Sequence, residues 1–480
     1  MLGPLYNQFL IASLKFDIKH RQKLYERECQ DEGHLQYLDN YCYMQPGVLP
    51  VLDFHDQNTS HSTHALHPFA AKFPPQLACW AIEQYSQPGE TVCDPMAGSG
   101  TTLVEAWRLG RSGIGFDIDP LACLIAQAKS TPIEVGLLSE HNRRLVREIE
   151  TASECFRMNI ETGVFPDGWL EVDGRPELPN LDYWFTPQVQ VGLTLLKRAI
   201  RAFETQPAVK RLWYVVVSSL ILAKNSVANA RDIVHSRHHH FRHEQIPDPI
   251  DRFCRRLRQV ERQMRAYSEG GTVPRRGYAD IHCNDSRNIP LAAGSVDLIV
   301  MSPPYCNALD YTRAHRFAVA WLADVLAITF NEYVIRGRAY IGSERGQFGR
   351  GSEPVGIAEV DTISDEIGNI DPQRGRLVAT YFQDMQSVLA EAGRILAPGG
   401  YAVVVVCPSN IRRIPITWHQ AFAALANRLP RDQQMGEIAV IERTIYDNRR
   451  ILPYMNAGTQ LASRMRKEYV LVLRKPRVEG

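Results

Sequence analysis

One nonapeptide constrains this chain more than anything else in it: Asp94-Pro-Met-Ala-Gly98-Ser-Gly100-Thr-Thr102. The apolar run Glu90-Thr-Val-Cys-Asp94 leads into it and reads as a strand. Beyond it the spacing predicts a helix from about Thr101 to Leu109, then a second strand, Gly113-Ile-Gly-Phe-Asp117. Strand, glycine turn, helix and strand in about 30 residues make one βαβ unit. Glycines there let the backbone approach a ligand closely, and the following helix offers free N–H groups. The second strand ends in a carboxylate, Asp117, which suits the two hydroxyls of a ribose. The turn has neither the GxGxxG spacing of dinucleotide enzymes nor the Lys of a P-loop. A tight turn without a ligand is the plainer alternative.

The α/β pattern returns late in the chain. Val296-Asp-Leu-Ile-Val-Met301 is nearly continuous in apolar residues, as a strand buried on both faces should be. Ser302-Pro303-Pro304-Tyr305 follows it directly. In an open parallel sheet, ligands bind beyond the carboxyl ends of strands, so this tetrapeptide stands where chemistry would occur. Two prolines remove N–H groups and leave rigid carbonyl acceptors. A carbonyl and a hydroxyl can accept hydrogen bonds from an amino group, and a Tyr beside them offers a flat face for a base. A plain turn with a core Tyr is the other reading. Gln383 to Leu396 reads as a helix ending at Pro398-Gly-Gly400, with strands at Tyr401–Cys407 and Glu468–Leu473.

Residues 131–276 break the pattern with long helical stretches, Leu138–Ala152, Pro187–Ala202, Ala208–Ala223 and Ile250–Tyr267. The expected architecture is a doubly wound, Rossmann-like sheet interrupted by a mostly helical insert. The expected organisation is an N-terminal helical extension over 1–45, the first part of the sheet domain over 46–130, the insert over 131–276 and the second part over 277–480.

The chain of 480 residues carries 54 Lys+Arg against 53 Asp+Glu, a net charge of +1, which excludes a polyanion binder working by bulk charge. Any nucleic-acid contact must come from a local face. Arg231–Arg276 is such a face, with eleven Arg against six acids. Within it Arg237 and Arg242 flank a His run, and Arg255, Arg258 and Arg262 recur at helical intervals, as phosphate contacts do. A solvated helix face gives the same pattern. His238–His240 has no acidic or Cys ligand at a supporting spacing, so no metal site is expected. Ten scattered Cys without a CxxC pair read as reduced thiols, and the N-terminus lacks the features of a signal peptide. A cytoplasmic, nucleoid-associated protein that makes no membrane contact is expected.

Together these segments resemble the amino-group DNA methyltransferases that use S-adenosylmethionine, in particular the cytosine-N4 branch. Asp94–Thr102 is similar to their cofactor loop, Asp-Pro-Phe-x-Gly-Ser-Gly-Thr-Thr, with Met96 and Ala97 at the variable places. Ser302–Tyr305 matches the catalytic tetrapeptide of the cytosine-N4 members; adenine-N6 members more often begin with Asp or Asn. His67-Pro-Phe-Ala-Ala-Lys72-Phe73-Pro-Pro75 resembles the segment closing over the methionine end of the cofactor, and Asn284-Asp285-Ser-Arg287 the acidic loop at its adenine. The resemblance covers about residues 60–130 and 280–475.

The resemblance implies that Lys72, Phe73, Asp94, Met96, Gly98, Ser99, Gly100, Thr101, Thr102, Asp117, Ile118 and Asp285 hold S-adenosylmethionine. It implies methyl transfer to the N4 amine of a cytosine flipped out of double-stranded DNA, at Ser302, Pro303, Pro304 and Tyr305. Cys306 has Tyr305 between it and the prolines, and amine chemistry needs no thiol, so it is a bystander. A restriction or defence-system partner is compatible with this. The alternatives are an adenine-N6 DNA enzyme, an RNA amino-methyltransferase, and a nucleic-acid-binding module that kept the fold without the activity.

Overall fold

The computed structural model describes residues 52, 54, 57–69, 72–162, 175–222, 225–229, 246–269, 277–306, 310–343, 353–445 and 467–477. The chain divides into two compact units after Asp53, and the description below concerns the second, Phe54–Gly480. Residues 1–45, and with them the expected N-terminal extension, lie outside the described residues, as do Arg237, Arg242 and the His238–His240 run.

Nine described strands are β1 Thr91–Asp94, β2 Ser112–Asp117, β3 Ala279–Cys283, β4 Val296–Met301, β5 Leu396–Val406, β6 Ser409–Ile411, β7 Ile414–Ile416, β8 Gly436–Thr444 and β9 Lys467–Arg474. Seven form one sheet in the order β3-β2-β1-β4-β5-β9-β8, while β6 and β7 pair separately. The five from β3 to β5 are parallel, and β9 runs antiparallel to both β5 and β8. The chain builds outward from β1 through β2 to β3, then crosses back to lay β4 on the other side of β1. That reversal makes the β1–β4 boundary the topological switch point, where doubly wound sheets open a crevice. The fold is the expected doubly wound α/β sheet.

Local sequence explains how several helices begin. Asp119, Thr186 and Asp371 each stand before a proline, and each side chain accepts from backbone N–H groups of the first turn of Pro120–Ser130, Pro187–Ala202 and Pro372–Ile395. The cap satisfies an orphan donor, and the proline, with φ already set, occupies a position where its missing N–H costs nothing. Each such cap contributes about 1 kcal/mol.

The helices of 131–276 join the sheet's own helices in one apolar cluster. Trp107 and Leu121 from beside the sheet, Trp213, Phe253 and Tyr267 from the insert, and Trp321 all belong to it. The Trp107 and Tyr267 rings lie 4.4 Å apart. The other face of the sheet is covered by a second cluster, built largely on the helix Pro372–Ile395 and the helix Trp418–Asn427.

The structure corrects several boundaries: the helix expected from Gln383 begins at Pro372, and the one expected over Leu138–Ala152 runs over Val135–Thr162. The helix expected to end at Pro398-Gly-Gly400 stops at Ile395, and β5 begins at Leu396, taking those three residues into the strand. The reason is an irregular register: β4 and β5 shift between Val296 and Leu298, and the Gly399 N–H donates to the Lys475 carbonyl at 3.0 Å. Pro398 has no N–H to offer a ladder, and the shift spares it that role.

Candidate active site: two loops at the switch point

β1 and β4 lie side by side, with Cys93 opposite Ile299, so their carboxyl ends emerge together. Asp94–Thr102 leaves one and Ser302–Tyr305 leaves the other. Asp117 ends β2, the next strand along, with Asp94 aligned to Gly115. The sheet therefore gathers three of the sequence-predicted groups at one edge.

The glycine turn is held by its own carboxylates. Buried Asp94 accepts from Thr102 Oγ1 at 2.6 Å and from the Met96 N–H at 3.1 Å. Asp117 accepts from the Gly98 N–H at 2.8 Å with one oxygen and from the Asp119 N–H at 2.8 Å with the other. Burial pushes Asp94 up to about 7, with the Asp117 charge adding and the Thr102 and Met96 bonds opposing. Burial likewise raises Asp117 to about 6, helped by the Asp119 charge.

Gly98 and Gly100 are required here. Gly98 has φ +49° and Gly100 φ +76°. A Cβ on Gly100 would lie 2.8 Å from Ala126 Cβ, and one on Gly98 would lie 3.3 Å from the Phe69 ring. Phe69 belongs to the expected closing segment and also packs 5.2 Å from the His315 ring and 6.0 Å from the Tyr311 ring. In that same segment Lys72 Nζ donates to the His64 carbonyl at 2.6 Å and Phe73 is buried. Beneath the turn, Lys129 is fully buried and donates to the Ser99 carbonyl at 2.8 Å. Burial drives its amine well below its ordinary range, since a desolvated ammonium is disfavoured. Thr101 and Thr102 are both buried at the head of the helix Thr101–Arg108.

The residues suit an adenosyl-type cofactor by the donor set alone. An ionised carboxylate has about four acceptor positions. The backbone uses one on each Asp117 oxygen, which leaves room for two ribose hydroxyls. Ile118 follows on the same turn, its carbonyl accepting from the Cys283 thiol at 3.8 Å. Asp285 is differently engaged: its oxygens accept from the Arg287 guanidinium, which also reaches Asp384 at 2.6 Å. Its side chain is committed to that ion pair within its own loop.

The second loop is held from a distance. The Pro304 carbonyl accepts from Tyr381 OH at 2.9 Å. Tyr305 donates to Cys407 Sγ at 3.1 Å, and the Cys407 thiol donates to Glu468 at 3.7 Å. Glu468 completes a buried ion pair with Arg443 at 3.0 Å. Burial raises the Tyr305 phenol well above its ordinary value, with the nearby Cys407 and Glu468 adding. Ser302 stays partly exposed, and Cys306 is buried.

In the helix Pro249–Glu269, Phe253, Leu257, Val260, Met264 and Tyr267 face inward, and Arg255, Arg258 and Arg262 are exposed. Arg256 turns in and donates to the Ala65 and Leu66 carbonyls, each at 2.7 Å.

Sequence reasoning did not single out Phe69, Lys129, Glu468 or the Asp119–His315 pair, joined at 2.8 Å. Lys129 carried a signal, as a lone charge in Leu-Ala-Cys-Leu-Ile-Ala-Gln-Ala-Lys129. His61, His64 and Glu105 also converge within 4.8 Å of one another, a grouping that could suit a cation. Arg108 supplies one, its NH1 lying 2.8 Å from Glu105 and 3.1 Å from His61.

Residues 12–128 match the sequence profile of the family described as DNA methylase, the N6/N4 methyltransferases. The match reaches back well beyond the stretch from residue 60 where the resemblance was read from the sequence. The chain is 25% identical over 398 residues to the Type II methyltransferase M.MvaI of Kocuria varians, covering 76% of this chain and 81% of that one. It is 21% identical to the Type II methyltransferase M.MjaII of Methanocaldococcus jannaschii, over 55% and 62%. A SAM-dependent methyltransferase structure from Methanosarcina mazei overlaps 82% of this chain and 97% of its own at 9% identity, with a TM-score of 0.27. The fold assignment rests on the strand order and not on that overlap. On its family match, its curated relatives and its two loops, the chain resembles the amino-group DNA methyltransferases, which take their methyl group from S-adenosylmethionine.

Proposed function

We propose that the protein methylates the N4 amine of cytosine in double-stranded DNA, with the base swung out of the helix. The observation that carries this reading is the placement of Ser302–Tyr305 at the end of β4, across the switch point from the glycine turn at the end of β1. S-adenosylmethionine supplies an electrophilic methyl group when bound. Asp94, the Gly98–Gly100 turn and Asp117 would hold it, with Lys129 fixing the turn from below and Phe69 over Gly98.

The chain's own residues then act on the base. An exocyclic amine is a poor nucleophile because its lone pair is delocalised into the ring. Hydrogen bonds from that amine to the Pro303 carbonyl and Ser302 Oγ draw it toward tetrahedral geometry and expose the lone pair. The prolines and the Tyr381 bond keep those acceptors in place, so little reorganisation is needed at the moment of transfer. Tyr305 offers its ring for stacking on the extruded base while its hydroxyl is held by Cys407. The amine proton leaves to solvent or DNA after transfer, and no covalent adduct with Cys306 forms.

Residues 131–276 serve as the target-recognition region in this reading, with Arg255, Arg258 and Arg262 on phosphates. A cytoplasmic enzyme with a restriction or defence-system partner completes the proposal; its curated relatives carry Type II in their names. No described helix is long and apolar enough to cross a membrane. Incubation with methyl-labelled cofactor and separate DNA and RNA pools, followed by mass spectrometry of digested nucleosides, tests the reading. N4-methylcytosine in DNA is expected. N6-methyladenine would overturn the base assignment, label in RNA alone the substrate, and 5-methylcytosine the mechanism.

A further inference from the structure

At the backbone of the Asp117–Ile118 turn two cysteines converge. Cys283 ends β3 and is registered opposite Asp117 on β2. Cys123 comes from the first turn of the helix Pro120–Ser130, and its thiol donates to the Asp117 carbonyl at 3.3 Å. The Cys283 thiol donates to the next carbonyl, that of Ile118, at 3.8 Å. Cys123 Sγ also reaches the carbonyl of His282, the residue before Cys283, at 3.8 Å, so the two thiols share one stretch of backbone. Cys283 is exposed and Cys123 is buried beside it. Arg336 NH1 reaches Cys283 Sγ at 3.2 Å. Both cysteines, with Gln127, Arg211 and Arg336, line an open recess of about 430 Å³.

Reactive thiols occupy electropositive, partly exposed places, and structural ones are buried in apolar surroundings. Cys283 meets the first description on the guanidinium and the recess. Its thiol is lowered to about 7, chiefly by its contact with Cys123, with Arg336 adding while burial and the Asp117 carboxylate oppose.

We propose that Cys283 is an oxidation site for hydrogen peroxide, resolved by Cys123 into a disulfide that loosens the Asp117 turn. The Cys283 thiolate attacks peroxide: an S–O bond forms, the O–O bond breaks, and hydroxide leaves and takes up a proton as water. Cys123 then attacks the sulfenic sulfur, the S–S bond forms, and the oxygen leaves as a second water. Two thiols lose two electrons, and one peroxide is reduced to two waters. The product can no longer donate to the Asp117 and Ile118 carbonyls, because both S–H groups are gone. Asp117 is the residue whose side chain holds the Gly98 N–H, so the loss is felt in the cofactor turn.

The consequence for the cofactor rests on the function proposed above; the disulfide does not. The test is a peroxide titration of the full-length protein, read by non-reducing peptide mapping and by calorimetry with S-adenosylmethionine. A peptide linking Cys123 to Cys283 is expected to form before other cysteines react. Cofactor affinity should fall roughly tenfold with it and return with dithiothreitol, on the scale of a lost hydrogen bond. Cys283→Ser should keep its affinity under peroxide. Arg336→Gln, which leaves both thiols in place, should slow formation of the link. Preferential oxidation of other cysteines would overturn the site, and a linked protein of unchanged cofactor affinity would overturn the switch. An untreated protein that does not bind S-adenosylmethionine would instead count against the cofactor reading, and the linked peptide would still establish the thiol pair.

Discussion

The two banks of the crevice are held in place by opposite means. On the cofactor bank, the ties made by the two carboxylates are short in sequence: Met96 to Asp94 spans two positions, Thr102 to Asp94 eight, and Gly98 to Asp117 nineteen, and a long tie runs from Ser286 Oγ to the Pro95 carbonyl. On the base bank, Tyr381 reaches Pro304 across 77 positions, and Cys407 reaches Tyr305 across 102. The carboxylate ties of the first bank lie within one βαβ unit, which itself leans on β4 through β1. The second exists only once β5, β9 and the helix Pro372–Ile395 have assembled behind it. Disruption far from the crevice should therefore damage the base bank first.

The largest expected effect follows from that asymmetry. Glu468→Ala leaves Arg443 buried without its partner, which should cost about 3–5 kcal/mol of stability. Denaturant titration would measure it. If the comparison holds, the folded fraction still binds cofactor while methyl transfer falls. Equal loss of both activities in the folded fraction would erase the distinction between the banks.

On the proposed mechanism Ser302→Ala removes an acceptor for the reacting amine, so transfer should drop about 10²–10³-fold, as when one oriented polar group is removed from an active site. Cofactor affinity should stay near that of the parent. Single-turnover rates beside calorimetry separate the two quantities.

Asp117→Asn acts on the other bank and should weaken cofactor binding by about 1–3 kcal/mol through the missing charge-assisted bonds. The same residue sets a pH dependence. Its value in the folded protein lies above the ordinary carboxylate range, at about 6, and that of Asp94 at about 7. These two groups therefore favour the cofactor-free fold at low pH, and their contribution fades as pH rises through 6 and 7. Cofactor affinity runs the other way, improving from pH 5 toward 7 as Asp117 ionises and becomes a full acceptor. The improvement should vanish in Asp117→Asn; a slope unchanged by the substitution would assign it to another group.

Legibility in the sequence follows the same division. The cofactor bank could be read in advance because its donors, acceptors and glycines lie within one short segment, and the left-handed φ at Gly100 leaves few alternatives. The insert helices were visible from their apolar spacing, and Pro187–Ala202 and Val296–Met301 have the expected bounds. Nothing local announces that Glu468, on a strand near the end of the described residues, would stand behind Tyr305. Its place beside Cys407 is a property of the assembled sheet. Asp285 shows a related limit: a carboxylate two residues before an Arg can be bound by it, and spacing alone does not say which. The start of β5 was misplaced because Pro-Gly-Gly marks a helix end in many chains, whereas here a register shift carries it into the strand.

The smallest effect concerns neither bank. Replacing Arg255, Arg258 and Arg262 together should weaken binding to all DNA sequences alike and reduce the salt slope by roughly one unit for each phosphate no longer neutralised. A slope that does not move would leave that helix as a solvated face.

The most direct measurement pairs Tyr305→Ala with Asp117→Ala and reads cofactor dissociation constant and single-turnover methyl transfer for each. Tyr305→Ala should transfer far more slowly at saturating cofactor while binding it normally, and Tyr305→Phe should be much milder if the ring stacks on the base, an interaction of roughly 1–3 kcal/mol. Asp117→Ala should bind cofactor weakly yet recover transfer when cofactor is raised. A Tyr305→Ala enzyme that transfers normally but binds S-adenosylmethionine poorly would contradict the assignment of the two loops.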